Sequence, residues 1–202
     1  MLHLSKKLNE KGITLVELLA VVILTAIVSI LLFSITSKAL ENNRIISQEA
    51  ILRDEADIIV SKFIKSLYST KQETIIRNIT TGDNSYLEIT NDLSKCRRDE
   101  DGRFLDLSGN PLNNDNLCKP TLKPIGFKTE NGITKIHILD EQYTLSYNNI
   151  KVSPTSKVYG NPDDSSVYEI ELNLEITQIR GNNKTSKAMK FKNEIQPIIN
   201  SK

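Results

Sequence analysis

The sequence predicts an α+β chain in which a long N-terminal helix, apolar all round in one half and amphipathic in the other, packs on a C-terminal antiparallel sheet. Three observations predict it. Residues 13–35 form an apolar run broken by a single charge, residues 38–68 carry apolar side chains at helical spacing without Pro or Gly, and the residues after 125 alternate apolar and polar around turn signals. At 202 residues there is room for one medium domain and an anchor. The net charge of +1 gives no global reason to expect nucleic acid as a partner. Hydrophobic residues make up 39 %, many of them in the first run, so the remainder is polar and its core is expected to be thin.

The first element is a short basic leader, residues 1–12, with Lys6, Lys7 and Lys11. Ile13 to Ile35 follows, 23 residues or about 35 Å as a helix, against a hydrocarbon thickness of about 30 Å. It is too long for the apolar stretch of a removable secretory signal and lacks the small-residue ending of one. Lys38, Arg44 and Arg53 nearly match the lysines of the leader. Charge asymmetry therefore leans only slightly towards a cytoplasmic N-terminus.

Glu17 stands five residues into this run. A carboxylate in hydrocarbon costs roughly 2.5 kcal/mol or more, so a partner outside the chain is expected to offset it. A basic leader ending in Gly12, a hydrophobic Ile13 and a glutamate at Glu17, followed by a long apolar helix, resembles the N-terminus of type IV prepilins and type II secretion or competence-type pseudopilins. The resemblance covers about the first 35 residues and says nothing of the rest. It implies a type IV pilin-like fold, cleavage by a membrane-embedded prepilin peptidase between Gly12 and Ile13, and N-methylation of the new amine of Ile13. Glu17 would then meet the cationic amine of a neighbouring subunit as helices bundle. Breaking such a buried pair costs about 3 to 5 kcal/mol. The first mature residue of the family is most often Phe, where this chain has Ile13. The competing reading is a plain single-pass anchor with an accidental glutamate.

Residues 13–37 are thus the transmembrane and assembly helix, and residues 38–70 its amphipathic continuation. Ile45, Leu52, Ala56, Ile59, Phe63 and Leu67 form the stripe of the second segment, and Glu49 and Arg53 an i, i+4 pair. Residues 71–124 read as irregular and polar, with one short strand at Tyr86–Thr90. They hold both cysteines. In an extracytoplasmic head Cys96 and Cys118 can form a disulfide, worth about 3 kcal/mol in the chain-entropy model, or remain two thiols. The Asp/Asn-rich runs "DEDG" and "NNDN" lack the alternation of an EF-hand loop, so a solvated loop is favoured over a calcium site.

Residues 125–202 read as an antiparallel sheet. Asn131-Gly132 predicts a two-residue hairpin with Phe127 opposite Ile136 and Ile125 opposite Ile138. A connection at Asp140-Glu141 would set Tyr143 opposite Ile138 and Leu145 opposite Ile136. After a loop, Tyr168, Ile170, Leu172, Leu174 and Ile176 share one face of the clearest strand. A turn on Asn182-Asn183 would set Ile176 against Met189, Leu174 against Phe191 and Glu175 against Lys190. Lys184, Lys187, Lys190 and Lys192 then read as a solvated strip cross-paired with glutamates rather than a nucleic-acid site.

No catalytic constellation is present. His3 lies in the leader and His137 alone in a strand opposite Gly126, and there is no phosphate-cradling glycine loop, G-x-S-x-G or C-x-x-C. No enzymatic activity, metal or cofactor is expected. The resemblance implies a minor pilin or pseudopilin, with other pilin subunits, the prepilin peptidase and an inner-membrane assembly platform as partners. Its head would lie outside the cytoplasmic membrane, then on a surface or periplasmic fibre. The alternative from another class is a membrane-anchored extracytoplasmic module that binds DNA, a glycan or a secreted substrate.

Overall fold

The computed structural model describes residues 14–92, 97–98, 104–105, 119–162, 167–180 and 183–197. The chain divides into two compact units, Met1–Ser47 and Gln48–Lys202. Helix α1 runs without a break from Leu15 to Tyr68, as expected where no Pro or Gly interrupts the sequence. In the second unit its buried stripe is Leu52, Ala56, Ile59, Phe63 and Leu67, joined by Val60 and Glu55. The stripe packs on the sheet, with the rings of Phe63 and Phe127 5.7 Å apart and tilted by 55°.

The strands are β1 (Ile75–Thr81), β2 (Asn84–Thr90), β3 (Arg97–Arg98), β4 (Phe104–Leu105), β5 (Leu122–Glu130), β6 (Ile133–Ile138), β7 (Glu141–Tyr143), β8 (Ile150–Val152), β9 (Lys157–Tyr159), β10 (Tyr168–Arg180) and β11 (Asn183–Ile195). The main sheet is antiparallel in the order β1-β2-β5-β6-β8-β10-β11, with β7 beside β6 and β9 beside β10; β3 and β4 form a separate two-stranded ribbon. Leu87, Ile125, Phe127, Ile136 and the five inward residues of β10 supply the sheet side of the core, together with Ile150, Val152 and Val158.

The β5–β6 hairpin has the expected register. Phe127 faces Ile136 and Ile125 faces Ile138, and both turn residues take positive φ, 52° at Asn131 and 75° at Gly132. His137 faces Gly126 as expected. The glycine is required there. Its φ is 144°, and a Cβ would stand 2.5 Å from the Ser85 carbonyl oxygen and from Tyr86 Cα on β2.

Four expectations are corrected. The region 71–124 is not irregular throughout, because β1 and β2 form a hairpin and β5 begins at Leu122. A register shift between Ile75 and Arg77 places both Ile75 and Ile76 in buried positions, which hides the strand's alternation. β7 pairs two residues away from the predicted register, with Ile136 opposite Tyr143 and Ile138 opposite Glu141. Leu139 adopts φ 57° and donates its N–H to the Pro124 carbonyl at 2.8 Å, so the chain already reverses at Leu139-Asp140. β11 is displaced in the same way. Arg180 faces Asn183, so Leu174 meets Met189, Leu172 meets Phe191 and Glu175 meets Ala188. Both slips are even, so every side chain keeps its predicted face. Finally, the predicted loop after residue 153 contains β9. That strand is tied down from β1 and β2: Ser85 Oγ accepts from Val158 N–H at 2.9 Å, and Asn78 Nδ2 donates to the carbonyls of Val158 and Gly160.

Candidate membrane anchor and assembly segment

Thr14 stands outside the helix and opens it. Its hydroxyl accepts from Glu17 N–H at 3.3 Å and its carbonyl accepts from Leu18 N–H at 3.1 Å. Thr14 is therefore the N-cap and Glu17 lies in the first turn. Thr-x-x-Glu before an apolar run is a capping-box pattern, a signal in the sequence that the reading of Glu17 as an isolated charge overlooked.

The magnitudes decide how far the cap explains the glutamate. A carboxylate near a helix N-terminus gains about 0.3 to 1 kcal/mol from the macrodipole. Transfer into hydrocarbon costs about 2.5 kcal/mol or more. The cap and the dipole together return less than a carboxylate costs in hydrocarbon.

From Leu15 to Ile35 the apolar side chains are exposed, up to 85 % at Leu15 and 76 % at Phe33. The segment spans about 31 Å at 1.5 Å per residue. This helix is long and apolar enough to cross a membrane. Three of its hydroxyls turn back on the helix: Thr25 Oγ1 donates to Val22 O at 2.9 Å, Ser29 Oγ to Thr25 O at 2.7 Å and Thr36 Oγ1 to Leu32 O at 2.8 Å. Satisfied in this way, they pose little obstacle to a lipid environment. Glu17 is the only charged residue from Thr14 to Ser37.

Gly12 and Ile13 lie outside the described residues, as do Cys96, Cys118 and the runs "DEDG" and "NNDN". Among the described residues no group of three or more His, Cys, Asp or Glu side chains could hold a metal ion. Of the β11 lysines, Lys190 and Lys192 are cross-paired, though not with Glu175, Lys187 pairs with the helix, and Lys184 makes no ion pair among the described residues. Lys190 reaches Glu171 at 2.6 Å, Lys192 reaches Glu169 at 2.7 Å, and Lys187 reaches Glu49 on α1 at 3.0 Å. The ion pair formed by Glu49 is thus with β11 and not the predicted one with Arg53. The hydrogen bond from Lys190 holds the Glu171 carboxyl below its ordinary value.

The burial of the Glu55 side chain and the enclosure of one ring nitrogen of His137 were not anticipated from the sequence. Glu55, on the packed stripe of α1, is 1 % exposed. Its Oε1 accepts from Tyr143 OH at 2.8 Å and Ser146 N–H at 3.1 Å, fastening the chain after β7 to the helix. Burial and that bond raise the Tyr143 phenol. His137 Nε2 is enclosed without a hydrogen-bond partner. Burial, then the charge of Lys128, hold its pKa below 6.5. The unfolded chain therefore takes up the proton at higher pH than the folded one, and stability is lost as pH falls below about 6.5. Thermal melts of the wild type and of His137→Gln from pH 7.5 down to pH 5.5 should show a smaller fall for the variant. Equal falls would remove this assignment.

The groove between the end of α1 and the β6–β7 turn, about 350 Å³, is lined by Lys62, Lys65, Ser66, Leu139, Asp140 and Tyr143 among others and assembles no nucleophile with a base. A scan against family models, a search of curated proteins and a search of solved structures each found no match to this chain.

Proposed function

We propose that the chain is a minor pilin or pseudopilin: a structural subunit cut after Gly12 by a prepilin peptidase, methylated at Ile13, and extracted from the membrane into a pilus, secretion or competence-type fibre. The observation that carries this reading is Glu17, the one charge on an exposed apolar helix, standing four residues after Ile13 with Gly12 before it. The cost of that carboxylate exceeds what its cap and the helix dipole return, and the amine exposed by cleavage of a neighbouring copy or related subunit supplies the missing cation. The sheet head with its own core fits a subunit whose N-terminal helix bundles while the head faces solvent.

Co-expression with an active prepilin peptidase tests the reading. The chain should shorten by its first 12 residues with the active peptidase and stay full-length when the peptidase carries a disabled catalytic aspartate. A chain of constant length in both would end the proposal.

A further inference from the structure

The β10–β11 hairpin segregates its charge along its length. Its Tyr168 end lies by the close of α1, where the Tyr168 hydroxyl accepts from Gln72 Nε2 at 3.0 Å. Further along, Lys187, opposite Ile176, reaches Glu49 at 3.0 Å, where the chain enters the head unit. At the Tyr168 end stand Glu169, Glu171 and Glu194, with Lys192 and Lys190 ion-paired to the first two. From Ile176 to Lys187 the chain has Arg180, Lys184 and Lys187 and no Asp or Glu. The first carboxylate back along β10 from that end is Glu175, directly opposite Lys151 on β8. Lys184 makes no ion pair among the described residues.

The same end exposes apolar surface. Ile179 sits opposite Lys184 and is 78 % exposed, more than any other large apolar side chain described in the head. Beside it the uncharged segment 145–150 is fastened to β10, with Thr177 N–H donating to Asn149 O at 2.9 Å, and Tyr147 in that segment is exposed. Apolar and aromatic side chains among cations suit the boundary layer of a membrane, where they enter between headgroups while ammonium groups meet lipid phosphates. Position selects a membrane over a soluble anion. Four residue pairs, about 14 Å of strand, extend past the pair Ile176–Lys187 at the end where the chain arrives from the apolar segment.

We infer that this end of the hairpin, with Ile179, Lys184 and Tyr147, is a second membrane contact, resting on anionic phospholipid headgroups while residues 15–35 span the bilayer. The inference depends on that span and not on processing at Gly12. One cation near an anionic surface contributes about a factor of five, so the contact orients the head yet releases readily.

The sequence has no Trp, so single tryptophans report on the contact. The full chain carrying Tyr147→Trp, Tyr159→Trp or Leu24→Trp is reconstituted in nanodiscs of phosphatidylcholine, alone or with about one-third phosphatidylglycerol, all with brominated acyl chains that quench nearby indoles. Leu24→Trp, in the apolar helix, should be quenched in both lipids. Tyr147→Trp should be quenched with anionic lipid and at least about fivefold less without it. Tyr159→Trp, opposite Glu169 at the other end of β10, should be quenched in neither. In the Tyr147→Trp chain, Lys184→Gln should lower the ratio of docked to free heads about fivefold, and Ile179→Ser should lower it as well. Melts should be unchanged, because both side chains are exposed. Quenching of Leu24→Trp without that of Tyr147→Trp would overturn the inference and leave the span standing, and quenching of neither would end both. Equal quenching of Tyr147→Trp in neutral lipid, equal quenching of Tyr159→Trp, or no response to Lys184→Gln would also overturn it. An equal change in Tyr147→Trp emission on adding inorganic polyphosphate to neutral nanodiscs would mean a soluble polyanion as ligand and overturn it too.

Discussion

Glu17→Ala is expected to leave cleavage after Gly12 intact and to reduce incorporation of the chain into fibres on the order of a hundredfold. The size follows from the about 3 kcal/mol or more that a lost partner of a buried ion pair costs, at 1.4 kcal/mol per factor of ten. The capping geometry supplies the control. Thr14 Oγ1 accepts from Glu17 N–H, so if the glutamate served only to start the helix, Thr14→Val would cost about 1 kcal/mol of helix stability and reproduce the defect of Glu17→Ala. If the carboxylate pairs with another subunit, Thr14→Val should assemble nearly as the wild type does while Glu17→Ala does not. Quantitative immunoblotting of sheared fibres against whole-cell levels reads both. Wild-type incorporation of Glu17→Ala would remove the pairing account.

Gly126→Ala should destabilise the head by about 3 kcal/mol or more, since it combines a strained positive φ with a clash against backbone rather than a flexible side chain. For a chain of this size the melting temperature should fall by about 6 to 12 °C. Gly132→Ala is the matched comparison. Its φ is 75°, yet a Cβ there meets nothing within 4 Å, so only the strain of about 1 kcal/mol remains. Circular-dichroism melts of the full chain in detergent distinguish the two. A Gly126→Ala melt within 3 °C of the Gly132→Ala melt would show that β2 does not approach β5 as closely as described.

Local periodicity carried the long-range reading where faces were involved. The stripe of α1 from Leu52 to Leu67 and the inward face of β10 were legible because burial repeats at the helix and strand periods, and those residues are in the core, whereas Ile45, predicted for the same stripe, is exposed. Register was legible only at Asn131-Gly132, where the turn pair itself demands positive φ twice. At Leu139 the reversal rests on a positive φ in a residue with no preference for it, held by a bond to Pro124 on the neighbouring strand β5, and nothing in the adjacent sequence announces that. β9 rests on side chains of Asn78 and Ser85, 80 and 73 residues away from Val158, so its three residues read as loop. Glu55 shows the same limit. Its place on the packed stripe could be counted, but its partners Tyr143 and Ser146 come from the end of β7 and the chain just after it. Of the candidate assembly site, the charge of Glu17 was legible and its cap was present but unread.

The most direct measurement is the intact mass of the chain purified from its native cells. Loss of the first 12 residues of the 202, together with one added methyl group on the new terminus, is the predicted result. A full-length chain in cells whose prepilin peptidase processes other substrates would contradict it.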